Sequence, residues 1–256
     1  MSRPRSSGRA PVRPGFLEGR HKERSHRSPL YQTSVLGLVA CGVINPLPHQ
    51  ANAQDRLPTI ARVHYEGGGD WYANPSSLPN LLSEIGQRST VRVSSRPAEV
   101  RLTDPDLADH PYLYLTGHGN ISLSDREVEE LRNYIRNGGF LHADDNYGLD
   151  ASFRREIARV FPDFELVDVP LDHPIYHVRY ELPQGLPKIH EHDGLPAQGL
   201  GIFVEGRLAV FYSYQSDLGD GWEDRTVHGD APEVREQAIR MGVNLFLYAL
   251  SAGPPR

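Results

Sequence analysis

Histidines and aspartates stand two apart at two places in this chain: His142-Ala143-Asp144, followed by Asp145, and His190-Glu191-His192, followed by Asp193. In extended backbone, residues i and i+2 point to one side, so each triplet offers two ligand atoms in one direction. Imidazole with carboxylate is a donor set that zinc and related divalent ions accept. His142, His190, His192 and Asp193 are therefore the candidate metal ligands, with a divalent metal as the cofactor they would hold, and Asp144 and Asp145 are the candidate catalytic carboxylates. A bound ion lowers the pKa of its water, and a carboxylate or His118 would take the proton. A plainer role is open to the same residues. Asp144 and Asp145 could cap the following turn through backbone N–H groups, and His142, on an otherwise apolar strand, reads more readily as a hydrogen-bonded core histidine.

Thr116-Gly117-His118-Gly119-Asn120 flanks a histidine with glycines. Gly117 and Gly119 let backbone approach a ligand and present the imidazole as an acid or base, although a tight turn with an exposed histidine fits as well. Gly67-Gly68-Gly69-Asp70-Trp71-Tyr72 and Gly219-Asp220-Gly221-Trp222 put aromatic rings into glycine-bearing stretches read as loops. Asp70, Trp71 and Trp222 are candidate ligand-binding residues there, against the alternative that each Trp anchors its own loop to the core.

The 256 residues include 27 Lys and Arg against 33 Asp and Glu, a net charge of −6. Eight of the basic residues but only Glu18 and Glu23 of the acids precede residue 54, so the remainder carries about −12. That balance speaks against a nucleic-acid partner, which clustered Lys and Arg would recognise; a small molecule or an envelope protein fits better. Residues 1–53 read as a targeting segment and 54–256 as the mature domain. Basic residues up to Arg27 precede the apolar run from Val35 to Ile44, and Ala51-Asn52-Ala53 gives a small-x-small cleavage site. The run is too short to span a bilayer, so the mature form is expected to lack a transmembrane helix and to be exported to the periplasm or cell envelope. Leu38-Val39-Ala40-Cys41 also has the form of a lipobox, and a lipid anchor at Cys41 stands as the alternative to cleavage after Ala53. Cys41 is the only cysteine, so a mature domain cut after Ala53 has no thiol chemistry and no disulfide.

From Thr59 onward strands alternate with helices. Thr59 to Tyr65 is rich in β-branched and aromatic residues, as a strand requires. A short helix is expected around Leu81, Leu82 and Ile85, and a strand within Val91 to Leu102. Tyr112-Leu113-Tyr114-Leu115 is apolar on both faces, the mark of a strand covered by helices on both sides. Ser124 and Glu127 form a capping box for a helix with Val128, Leu131 and Ile135 on one face, closed by Asn137-Gly138-Gly139. Phe140 to Ala143 reads as another buried strand, Ser152 to Val160 as a helix, and Glu165 to Val167 as a strand. Residues 171–200 show no period and read as long loops, Gly201 to Tyr212 as a hairpin turning at Glu205-Gly206, and Pro232 to Leu250 as the last helix. Such alternation implies a single α/β domain with a mostly parallel sheet and helices on both faces. Ligands of such sheets sit beyond the carboxyl ends of the strands.

Five ordered stretches together resemble the domain of unknown function 4159 family: Arg62 to Tyr72, Leu115 to Gly119, Gly139 to Asp145, Leu171 to Ile175 and Lys188 to Gly194, within about Thr59 to Leu250. The resemblance implies a flavodoxin-like, class I glutamine amidotransferase-like fold in a bacterial envelope protein. It also implies a strand-to-helix turn at Ala143-Asp144-Asp145-Asn146 where that superfamily carries a nucleophilic cysteine. Without a cysteine, glutamine amidotransfer is excluded. The functional expectation is binding of a small or sugar-like ligand with metal-assisted hydrolysis, and the alternative is a non-catalytic interaction module of the cell envelope.

Overall fold

The computed structural model describes residues 57–252, which all belong to one compact unit. The leader, the Ala53 cleavage site and the Cys41 lipobox lie outside the described residues. Five strands run parallel side by side in the order β2 (Ala98–Val100), β1 (Ile60–Val63), β3 (Tyr112–Leu115), β4 (Phe140–Asp144) and β7 (Arg207–Tyr214). β6 (Gln198–Val204) and the short edge strand β5 (Val167–Asp168) complete the seven-stranded sheet with antiparallel pairings. Strand β3 is central and buried along its whole length, as its two apolar faces require.

Alternation along β3 and β4 divides the core. Tyr112, Tyr114, Phe140 and His142 face α1 (Ser77–Arg88), α4 (Leu218–Trp222) and α6 (Pro232–Ala252), while Leu113, Leu115, Leu141 and Ala143 face α2 (Asp125–Arg136) and α3 (Asp150–Val160). Helices thus cover both sides. At the start of α2, Ser124 Oγ accepts from Glu127 N–H and the Glu127 carboxylate accepts from Ser124 N–H, the reciprocal cap read from the sequence. The β6–β7 turn places Glu205 and Gly206 at φ of 51° and 80°, the left-handed pair that matches strand twist in a two-residue hairpin.

Residues 171–197 hold no regular element beyond a 3-10 turn at Pro174–Tyr176, as the missing period implies, although Ile175, Tyr176, Leu182 and Leu186 are buried and Gln198 already belongs to β6. One expectation fails: the stretch around Gly219 and Trp222 is not a loop. It forms helix α4, buried throughout, with Trp222 only 1% exposed and its Nε1–H donating to Ala238 O. Among the described residues no helix is long and apolar enough to cross a membrane.

Candidate metal centre

The carboxyl end of β4 delivers Asp144 into the core, and everything around it donates. Its Oδ2 accepts from Tyr114 O–H (2.9 Å) and Gly219 N–H (2.7 Å), its Oδ1 from Leu218 N–H (3.2 Å) and Ser213 O–H. Ser213 has one hydrogen to give. Its oxygen therefore accepts from His142 Nε2–H (2.8 Å), which leaves His142 Nδ1 to accept from Tyr112 O–H (2.8 Å). Burial drops His142 to about 3, so the ring is neutral. Burial and the nearby Asp217 charge push Asp144 up to about 7 in spite of its donors. The two side chains share a face, as their spacing predicts. Both nitrogens of His142 are committed to hydroxyls, which makes it the core histidine and not a metal ligand.

Beyond β7 the chain reverses through Gln215 and Asp217, at φ of 58° and 64°, before entering α4. Left-handed conformations of this kind persist where surroundings hold them. Asp145 Oδ2 holds Gln215 N–H (3.1 Å), and Asp144 holds the first two amides of α4. The adjacent aspartates thus clamp the turn that presents Asp217 and Asp220. Gly219 must lack a side chain, since a Cβ there would lie 2.6 Å from Tyr114 Oη and 2.7 Å from Asn74 Nδ2. Residues 187–190 are laid against the same turn by Ser216, whose Oγ–H donates to Pro187 O and whose carbonyl accepts from Ile189 and His190 N–H.

The result is a cluster of imidazoles and carboxylates. His190 Nδ1 lies 2.8 Å from Asp220 Oδ2 and 3.4 Å from Asp217 Oδ2, and His228 Nδ1 lies 3.4 Å from the same Asp220 oxygen. His190, Asp220 and His228 each offer one ligand atom within 4.8 Å of the others. The far nitrogen of each ring meets a further carboxylate: His190 Nε2 is 3.1 Å from Asp230 Oδ1, and His228 Nε2 is 3.6 Å from Glu223 Oε2. Asn74 Nδ2–H donates to Asp220 Oδ1 (2.6 Å) and fixes that carboxylate too. Carboxylates on the outer nitrogens of ligating histidines are the usual second layer of a metal site. Asp217 Oδ1 and Asp230 Oδ2 are buried without a partner, which is costly unless something cationic satisfies them.

Electrostatics agree. The Asp217 hydrogen bond raises His190 to about 9 against the opposing effect of burial, with Asp220 and Asp230 adding to the rise. Burial, then the charge of Asp217, raises Asp220 to about 8. Burial alone would raise Asp217, yet its hydrogen bonds to His190 and His192 bring it below the ordinary carboxylate range. A divalent ion can replace the protons that now compensate these acids. Two imidazoles among carboxylates suit a first-row transition ion, zinc above all, better than magnesium or calcium, which take oxygen.

Of the residues singled out in the sequence, only His190 is in the triad. His192 stands next to it, with Nε2 3.1 Å from Asp217 Oδ2 and a buried Nδ1 that has no partner. Asp193 meets Gln215 instead, its Oδ2 accepting from the side-chain amide (3.3 Å). Asp145 keeps one buried oxygen without a partner, and burial raises its pKa. His118 makes no hydrogen bond to this cluster. Its Nδ1 lies 3.0 Å from Asp70 Oδ2, in a dyad where the loops after β1 and β3 interlock. That is where the sheet order reverses, since the chain leaves β1 for β2 and returns to β3. Gly117 permits the interlock: its φ is 138°, and a Cβ would sit 2.3 Å from Tyr65 Oη. Gly119, at φ 87°, shapes the same loop. Trp71 stacks on His64 at 4.0 Å, and Trp222 packs on Tyr114 and His142. Trp222, being enclosed, is no ligand platform.

Sequence reasoning missed Asp217, Asp220, His228 and Asp230. Asp217, left-handed just before α4, and Asp220 inside it both reach His190, but two glycines in five residues hid the helix. His228 and Asp230 fall in an exposed stretch without periodicity.

The fold is a three-layer α/β sheet protein with a histidine-carboxylate cluster at the carboxyl ends of its strands. Residues 59–250 match the family described as Domain of unknown function (DUF4159), and the chain belongs to that family. No curated protein matches it.

Proposed function

We propose that this domain is a divalent-cation-dependent protein of the bacterial cell envelope, with an ion held by His190, Asp220 and His228 and used to hydrolyse a small or sugar-like substrate. One observation carries the reading: both imidazoles turn one nitrogen toward Asp220 and the other toward a carboxylate, as ligating histidines do. The ion would supply an acidified water. Asp145, whose buried carboxyl keeps one oxygen without a partner and feels the charge of His192, would take its proton, and the His118–Asp70 dyad would supply a second acid-base group between β1 and β3. The exposed rings of Tyr72 and Tyr147 offer stacking faces to a sugar. Export rests on the basic leader, the apolar run and Ala51-Asn52-Ala53. A class I glutamine amidotransferase-like placement draws support from the parallel core and from the sharp turn after β4, where Tyr147 adopts φ 55°. A domain that binds the ion yet cleaves no ester or glycoside probe would be the interaction module instead.

Proton release tests the ion site. His190 and Asp220 both hold protons above their ordinary pKa in the ion-free protein, so a cation must displace protons, and its affinity rises with pH up to about 9. Calorimetry with Zn²⁺ in buffers of different ionisation enthalpy should show net proton release, with Kd falling up to about tenfold per pH unit for each proton displaced. Binding that ignores pH over that range would contradict the assignment.

A further inference from the structure

We propose that residues 224–231 form a flap that the cation locks shut over the centre, so that occupancy of the site controls access to it; this rests on the cation reading above. Two of the charged groups around His190 come from this segment, His228 and Asp230, whereas Asp217 and Asp220 come from the buried β7–α4 turn. The flap has almost no core of its own. Helix α5 (Arg225–His228) buries no residue, and Val227 is 54% exposed.

Its base is fixed where Asp224 accepts from Asn80 Nδ2–H (2.9 Å) and donates its own N–H to Ser76 Oγ (3.0 Å). Its far end turns at Gly229, φ 73°, before α6 begins. Beyond Asp224 the side chains that bind it to the domain are His228, on Asp220 and Glu223 with its ring 5.1 Å from that of His190, and Asp230, on His190. The space at its base is not filled: a cavity of about 220 Å³ lies between α1, α6 and the flap, lined by Leu81, Trp222 and Ile239 together with Asp224 and Arg225. Segments with few apolar contacts open at low free-energy cost.

The closed form without an ion leaves Asp230 Oδ2 and Asp217 Oδ1 buried and unpartnered. Opening hydrates Asp230 at the cost of its contact with His190, so without an ion the closed form is held only weakly. A cation ligated by His228 binds the closed form better and shifts the balance toward it, by as much as its differential affinity allows.

The experiment is hydrogen exchange on the full mature protein with and without Zn²⁺, with calorimetry on the same samples. Amides of residues 225–231 should exchange at least tenfold more slowly with zinc, while those of α2 on the opposite layer do not change, and trypsin cleavage after Arg225 should slow in parallel. His228→Gln should abolish the zinc-dependent protection while weaker zinc binding persists through His190 and Asp220. If zinc binds by calorimetry and the 225–231 amides exchange at the same rate, the flap is wrong and the ion site stands. If zinc does not bind, both are wrong.

Discussion

Asp144→Ala is expected to destabilise the domain by about 4 kcal/mol or more, measured as the shift in urea midpoint at constant m. The substitution leaves Tyr114 O–H, Ser213 O–H, Leu218 N–H and Gly219 N–H facing a cavity in the core, and each orphaned buried donor costs about 1–3 kcal/mol. The costs do not add in full because neighbours relax together. Asp145→Ala should behave in the opposite way despite being one residue on. It gives up a single hydrogen bond to Gln215 N–H, and in return removes an oxygen that has no partner and a carboxyl that burial already disfavours as an anion. Thermal stability of the ion-free protein should stay level or rise, while substrate turnover is lost. Equal destabilisation by the two substitutions would make Asp145 scaffold as well.

The second large effect concerns the ion. His190→Ala removes a ligand and should weaken Zn²⁺ at least about 100-fold, whereas Asp230→Asn, which only loosens the outer nitrogen of that ring, should weaken it about 10- to 100-fold. Asp193→Asn should leave affinity within about twofold, because that carboxylate meets Gln215 and not the cluster. A ranking in which Asp193 matters more than Asp230 would return the site to the ligands that sequence spacing suggested.

Local signals were legible in the chain wherever one short stretch determines its own conformation. The Ser124–Glu127 cap, the Glu205-Gly206 turn and the doubly buried Tyr112–Leu115 strand all depend on residues within a few positions of each other. The shared face of His142 and Asp144 followed from strand parity alone. What parity could not supply was depth: the same face lies under α4 and α6, so both side chains are enclosed and their partners are hydroxyls from β3 and β7 and, for Asp144, two amides of α4. The centre itself joins residues far apart in the chain, with loops bringing Asn74, His190 and Asp230 to Asp220 of helix α4. No periodicity records such a meeting. His190-Glu191-His192 gave one of the three ligands, because Ser216 lays that stretch on the end of β7.

The central claim is that His190, Asp220 and His228 share one divalent ion, and anomalous diffraction at the zinc edge from crystals of the mature protein equilibrated with Zn²⁺ tests it most directly. A single strong anomalous peak about 2.0–2.2 Å from His190 Nδ1, an Asp220 carboxylate oxygen and His228 Nδ1, absent in His190→Ala, is the predicted result. Zinc found only at surface histidines, with the cluster empty and its rings still paired to carboxylates, would contradict the account.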